Sequence, residues 1–289
     1  MANFLKFILC VLVYSIVYML VIGLIPFSPA FTEITREVSE TQTTASTLMM
    51  LLPIIWNCFT AYFIIRNANV KGKKLFRSLM FVMFFIVYFF PQALGAEAAD
   101  VHGMPWHDFI LLSIPGLISL LATLPLMVKF FQNKNVADVI GEHEKLKFKQ
   151  RYAIKIGLGG LLLAGIYILF LLTVQRNVAE YRVFYQDTAW MQAAHGENWP
   201  GFFYPLFSIP FFRGIINGVL ILPLLPLIKK SKLVFTTAIC LVFLAPAIAF
   251  GAPNPLFPDT VRLMLMASMI ITMLSLGIFT GKVMWKEYA

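Results

Sequence analysis

Eight apolar stretches, each close to the length that crosses a hydrocarbon core, divide the chain. They run Phe4–Phe27, Thr47–Ile65, Leu75–Gly95, Phe109–Phe131, Ile156–Val174, Phe202–Ile228, Leu233–Gly251 and Val261–Thr280. A helical crossing takes about 20 predominantly apolar residues. Most of the stretches lack the strict polar alternation of a membrane β-barrel strand. The expected fold is therefore all-α: a polytopic helical membrane protein of about eight transmembrane helices. Composition points the same way. Of 289 residues, 60% are hydrophobic and only 13% are charged, with a mean hydropathy of +0.81. A soluble domain of this length would lack the charge to cover so much apolar surface.

The placement of charge gives an orientation. One set of alternate connections carries Arg66, Lys71, Lys73, Lys74 and Arg77, then Lys129, Lys134, Lys145, Lys147, Lys149, Arg151 and Lys155, then Lys229, Lys230 and Lys232; Lys6, Lys282 and Lys286 lie on the same side. Of the 23 basic residues, only Arg36, Arg176, Arg182 and Arg262 fall on the opposite connections, and Arg213 lies within a span. Most acidic residues segregate to that opposite side. Excess Lys and Arg marks the cytoplasmic face, so both termini are expected inside, in a cytoplasmic or plasma membrane. The formal charge of +9 is then a topological signal rather than a nucleic-acid footprint, and no nucleic-acid partner is expected.

The first apolar stretch has a basic Lys6 near its start and Ser28-Pro29-Ala30 after it, as a cleaved signal would. It exceeds the usual 7–15 residues of a signal core and reads as a retained span. Cys10, Cys58 and Cys240 all fall in spans, so the sequence offers no disulfide framework in an external loop; they read as small packing residues.

A faint duplication runs through the chain. Pro53-Ile-Ile-Trp-Asn57 opens the second span, and Pro210-Phe-Phe-Arg-Gly214 occupies a similar place in the sixth. A lysine of a short basic turn, Lys73 or Lys230, follows each proline at the same interval. Residues 1–289 thus read as a single transmembrane domain with repeat halves 1–131 and 156–289, joined by a basic cytoplasmic loop, 132–155. Parallel repeats of this kind recur in transporters, with binding sites between the halves.

Several chemistries lack their motifs. No Asp, Glu or His lies deep in a span, which disfavours a proton relay. His102, His107, His143 and His195 are all in connections, so axial haem ligation has no donor within the bundle. H-E-x-x-H, G-x-S-x-G and P-loop patterns are missing. No cofactor, catalytic residue or metal ligand is assigned. Gly157-Leu-Gly159-Gly160 reads as a close helix-packing surface rather than a phosphate loop. Polar groups do collect in the outer connections: Glu97, Asp100, His102, His107 and Asp108 in one, and Glu180, Asp187, His195 and Glu197 in another. Their spacing matches no metal pattern, and a hydrated acidic surface is the expected reading. Between these groups, Val178, Tyr181, Tyr185 and Ala189 recur at helical spacing, as in an interfacial helix or an aromatic belt.

Arg213 is the exception that demands an explanation. A span beginning near Phe202 puts it about 16 Å along the axis, near the bilayer middle, where insertion costs about 2.5–3.5 kcal/mol on translocon scales. Such a charge should face the bundle interior, where a bound phosphate or carboxylate suits the guanidinium fork. The rival reading starts the span at Pro210, with Phe202–Ile209 a separate piece; Arg213 then sits in the first turn and snorkels outward. Asn217, one turn on, favours an inward polar stripe.

Asn57, Arg213, Asn217 and Arg262 are therefore the candidate ligand-binding residues of an outward-opening polar pocket. The expected function is to bind, and possibly transport, an anionic or amphipathic ligand, either a lipid or a small acid. The alternatives are an enzyme acting on lipid-linked substrates at the outer face, and a sensor or assembly subunit that docks a partner. Membrane lipids are expected partners, with a protein partner or a homo-oligomer also open.

Overall fold

The computed structural model describes residues 1–29, 31–33, 51–89, 91, 106–133, 150–185, 199–228, 230–252 and 257–285. Its regular elements are all helical, with no strand among the described residues. In chain order they are α1 (Ala2–Ile22), α2 (Leu51–Asn67), α3 (Gly72–Val82), which runs on as a π-helical segment (Met83–Phe89), α4 (Trp106–Leu111), α5 (Ser113–Phe131), α6 (Gln150–Asn177), α7 (Ala179–Tyr185), α8 (Trp199–Leu220), a 3₁₀ segment (Leu222–Leu227), α9 (Lys232–Ala249) and α10 (Asp259–Trp285).

A helix occupies each of the eight apolar stretches. Among the described residues, six helices are long and apolar enough to cross a membrane: α1, α5, α6, α8 with its 3₁₀ extension, α9 and α10. The chain is thus a multi-pass helical membrane protein. Its exterior carries large apolar side chains, among them Phe4, Leu20, Leu169, Phe212 and Leu233, as a surface facing lipid tails should.

The helices pack in two groups that share one interface. In the first group α1 lies against α2 and α5, and α3 with its π segment lies against α5; α2 also meets α5. In the second group α6 lies against α8 and α10, and α9 lies against α10. Between the groups α2 and the π segment pack on α9, and the π segment touches α8. The Trp56 indole N–H donates to the Leu241 carbonyl across this seam at 3.1 Å.

At one end of the bundle the two short basic turns meet. The Asn69 amide donates to the Leu227 carbonyl at 2.7 Å, and the Lys230 ammonium donates to Asn67 Oδ1 at 3.2 Å. Each turn thereby satisfies groups left over at the other's helix end. At the opposite end, α7 packs on α6 and α10, with Tyr181 buried beside Val174 and Val261. Of the residues read at helical spacing, Tyr181 and Tyr185 lie in this seven-residue helix, Val178 directly precedes it, and Ala189 lies outside the described residues.

Candidate functional site

The site grows from α8. This helix is continuous from Trp199 to Leu220, so neither Pro205 nor Pro210 interrupts it. Prolines are tolerated in membrane helices where neighbouring groups re-satisfy the freed backbone. The alternative start at Pro210, with a separate preceding piece, is not what forms. Arg213 consequently lies mid-helix, roughly midway between Trp199 and the end of the 3₁₀ segment, and is half-buried.

A backbone contact fixes how α8 is turned. A β-carbon placed on Gly214 would lie 2.6 Å from the Gly160 Cα, and one placed on Gly160 would lie 2.7 Å from the Phe211 carbonyl oxygen. Only hydrogens fit there, so α6 and α8 cross at their glycines, as small-residue membrane interfaces do. With about 100° between successive residues, Arg213 and Asn217 share a face that lies to one side of the Gly214 contact. That face opens on a narrow cleft of about 210 Å³ with its open solvent included, lined with them by Ile86, Pro91, Phe243, Pro246 and Met273. The cleft therefore lies where the two groups of helices meet. Asn217 is buried at 4% exposure. A cation with a planar fork of donors and an amide one turn on can together hold an oxyanion.

Asn57 belongs to a second polar group, inside the first set of helices. Its Nδ2 donates to the Tyr88 hydroxyl at 2.6 Å, and that hydroxyl is hydrogen-bonded to the Tyr14 hydroxyl. The Tyr88 ring fills the space where Gly116 has no side chain; a β-carbon there would lie 2.2 Å from the ring. Thr60, Ser119 and Thr123 are buried in the same set, and their hydroxyl oxygens, with Asn57 Oδ1, have no hydrogen-bond partner among the described residues. The π segment connects the two polar groups, because Tyr88 reaches the first while Ile86 lines the Arg213 cleft. π-helical turns are often found at functional sites. Nothing in the residue pattern marks this one.

Arg262 stands apart from both. Its Nη1 donates to the carbonyls of Phe250, Gly251 and Ala252 at 2.9, 3.0 and 3.1 Å, and its Nη2 pairs with Asp259 at 2.9 Å. This is a cap on the end of α9, where carbonyls without helical partners attract a cation. Met273, which lines the cleft, is about 16 Å further along α10 at 1.5 Å per residue. The four residues singled out from the sequence therefore separate into the Arg213–Asn217 pair, the Asn57 cluster and the Arg262 cap.

Of the outer polar groups, Asp108 is fully buried. It accepts from the Ser28 amide at 3.2 Å and from the Ser28 hydroxyl at 2.5 Å, which ties the chain after α1 to α4. Glu180 is exposed. Glu97, Asp100, His102, Asp187, His195 and Glu197 lie outside the described residues. Among the described residues no three His, Cys, Asp or Glu side chains gather into a metal site.

Two features important to the site had a sequence signal not weighed above. Gly214-x-x-x-Gly218 and Gly277-x-x-x-Gly281 are small-residue motifs. The first faces α6 and the second faces Cys240 and Thr236 of α9. No family model, curated protein or solved structure matches the chain.

Proposed function

We propose that this protein binds an anionic or amphipathic ligand, a lipid or a small acid, in the cleft of Arg213 and Asn217, and moves it across the membrane. The observation that carries this reading is the position of Arg213: mid-helix, beside the buried Asn217, on a cleft between two groups of helices. An ionisable group at that depth is costly and is kept where it meets a ligand, a partner or water. The ligand set becomes Arg213 with Asn217. Asn57 acts at one remove, through Tyr88 and the π segment, and Arg262 through the cap that seats α10.

The reading extends to the architecture. The chain makes eight passes with both termini in the cytoplasm, and its halves are parallel repeats. Support comes from the packing pattern. In each half the first helix meets the second and fourth, and the third meets the fourth; across the seam the second helix of each half meets the third of the other. A two-fold axis along the membrane normal generates this pattern, and repeat interfaces are where transporter sites lie. The sequence holds no P-loop, so movement draws on a gradient or on a partner.

The test is a ligand screen on the purified protein, in which thermal unfolding is followed with fatty acids, lyso-phospholipids and short-chain carboxylates and phosphates. A ligand at about 100 times its Kd adds about 2.7 kcal/mol to the stability of the folded state. An anion should raise the melting temperature of wild type and leave Arg213→Gln unmoved. Stabilisation of both proteins alike, or by neutral analogues alike, would remove Arg213 from the site.

A further inference from the structure

A second groove lies at the other side of the glycine crossing, where α6, α8 and α10 converge. Its open volume is about 240 Å³, and Lys155, Gly159, Gly214, Gly218, Phe279 and Val283 are among its lining residues. We propose that it is a binding site for one anionic phospholipid, with the phosphate on Lys155 and an acyl chain along the groove.

Three observations support this assignment. The walls are largely apolar, with Thr280 among them, and at one end Lys155 stands five residues into α6 and Val283 two residues before the end of α10. The Lys155 ammonium donates to the Val283 carbonyl at 3.0 Å, which holds it at the groove rather than letting it trail into water. Basic residues flank that end in the sequence: Arg151 is the second residue of α6, Lys282 follows Gly281 on α10, and Lys145, Lys147 and Lys149 precede α6, with Glu142 and Glu144 before them and Glu287 after α10. Basic pockets between membrane helices on the cytoplasmic side suit anionic headgroups.

This site is separate from the Arg213 cleft and uses other residues, so either assignment can fail without the other. The test uses the full-length protein in mild detergent with photoactivatable phosphatidylglycerol or phosphatidylcholine, and peptide mass spectrometry to map the labels. Phosphatidylglycerol should label the segments around 155–159 and 276–284 about five-fold more than phosphatidylcholine does. Lys155→Gln should abolish that preference, while Lys155→Arg, Lys282→Gln and Arg213→Ala should keep it. Equal labelling of wild type by the two lipids would overturn the proposal, and that measurement needs no variant to fold. So would labelling elsewhere, or displacement of phosphatidylglycerol by inorganic phosphate, which would assign the lysine to a free anion.

Discussion

Gly214 of α8 rests against the backbone of Gly160 on α6, so closely that a β-carbon on Gly214 would lie 2.6 Å from the Gly160 Cα. The contact decides the rotation of α8 and hence the direction of Arg213. Replacing Gly214 with Ala should force the helices apart and cost about 1–3 kcal/mol, the usual range for overpacking. Gly157→Ala is the control, because a β-carbon there meets nothing within 4 Å and should leave stability unchanged or raise it by up to about 1 kcal/mol through helix propensity. Reversible unfolding in mixed micelles separates the two outcomes. Equal behaviour of the two variants would mean that the crossing is looser than described.

The Tyr88 hydroxyl joins Tyr14 and Asn57 in one buried network. Tyr88→Phe leaves the polar atoms of both partners wanting and should cost about 1–3 kcal/mol. Asn57→Leu should do similar harm. The double variant should cost less than the sum of the two, because each removes the same interaction. Strict additivity in a double-mutant cycle would contradict the network.

Arg262 and Asp259 form an ion pair, but their substitution effects should be unequal. The Asp259 side chain is 84% exposed, and an exposed pair is worth less than about 1 kcal/mol. Asp259→Asn should therefore be nearly silent. Arg262→Met strips a charged donor from three carbonyls at the end of α9, and should cost at least about 1.5–3 kcal/mol. Thermal unfolding of the two variants beside wild type measures the difference.

Eight passes with both termini inside require Lys73 and Glu180, both exposed, to lie on opposite sides of the membrane. A cysteine placed at 73 should react with an impermeant maleimide only after the cytoplasmic side is opened, and one at 180 should react from outside. Both reacting from one side would overturn the topology.

The apolar helices were legible because hydropathy is a sum over some 20 residues and tolerates local error. Arg213 and Asn217 were legible as a pair, since an i, i+4 spacing puts them on one helix face whatever the helix packs against. The fate of Arg262 was not: its partners are the carbonyls of a preceding helix end, and nothing in the sequence states that the loop folds back to present them. Asn57 carried the same ambiguity, for a polar residue in a span announces that it has a partner without naming it. Asp108 read as part of a hydrated outer surface until Ser28, which is 80 positions away, closed over it. The π segment at 83–89 is a stretch of Phe, Met, Ile, Val and Tyr that reads equally well as ordinary helix.

The most direct measurement is native mass spectrometry of the gently purified protein, wild type beside Arg213→Ala. Wild type should carry an anionic molecule that the folded variant lacks, and its mass would give the ligand's chemical class. The same adducts on both proteins would show that Arg213 contacts no ligand and that the cleft is not the binding site.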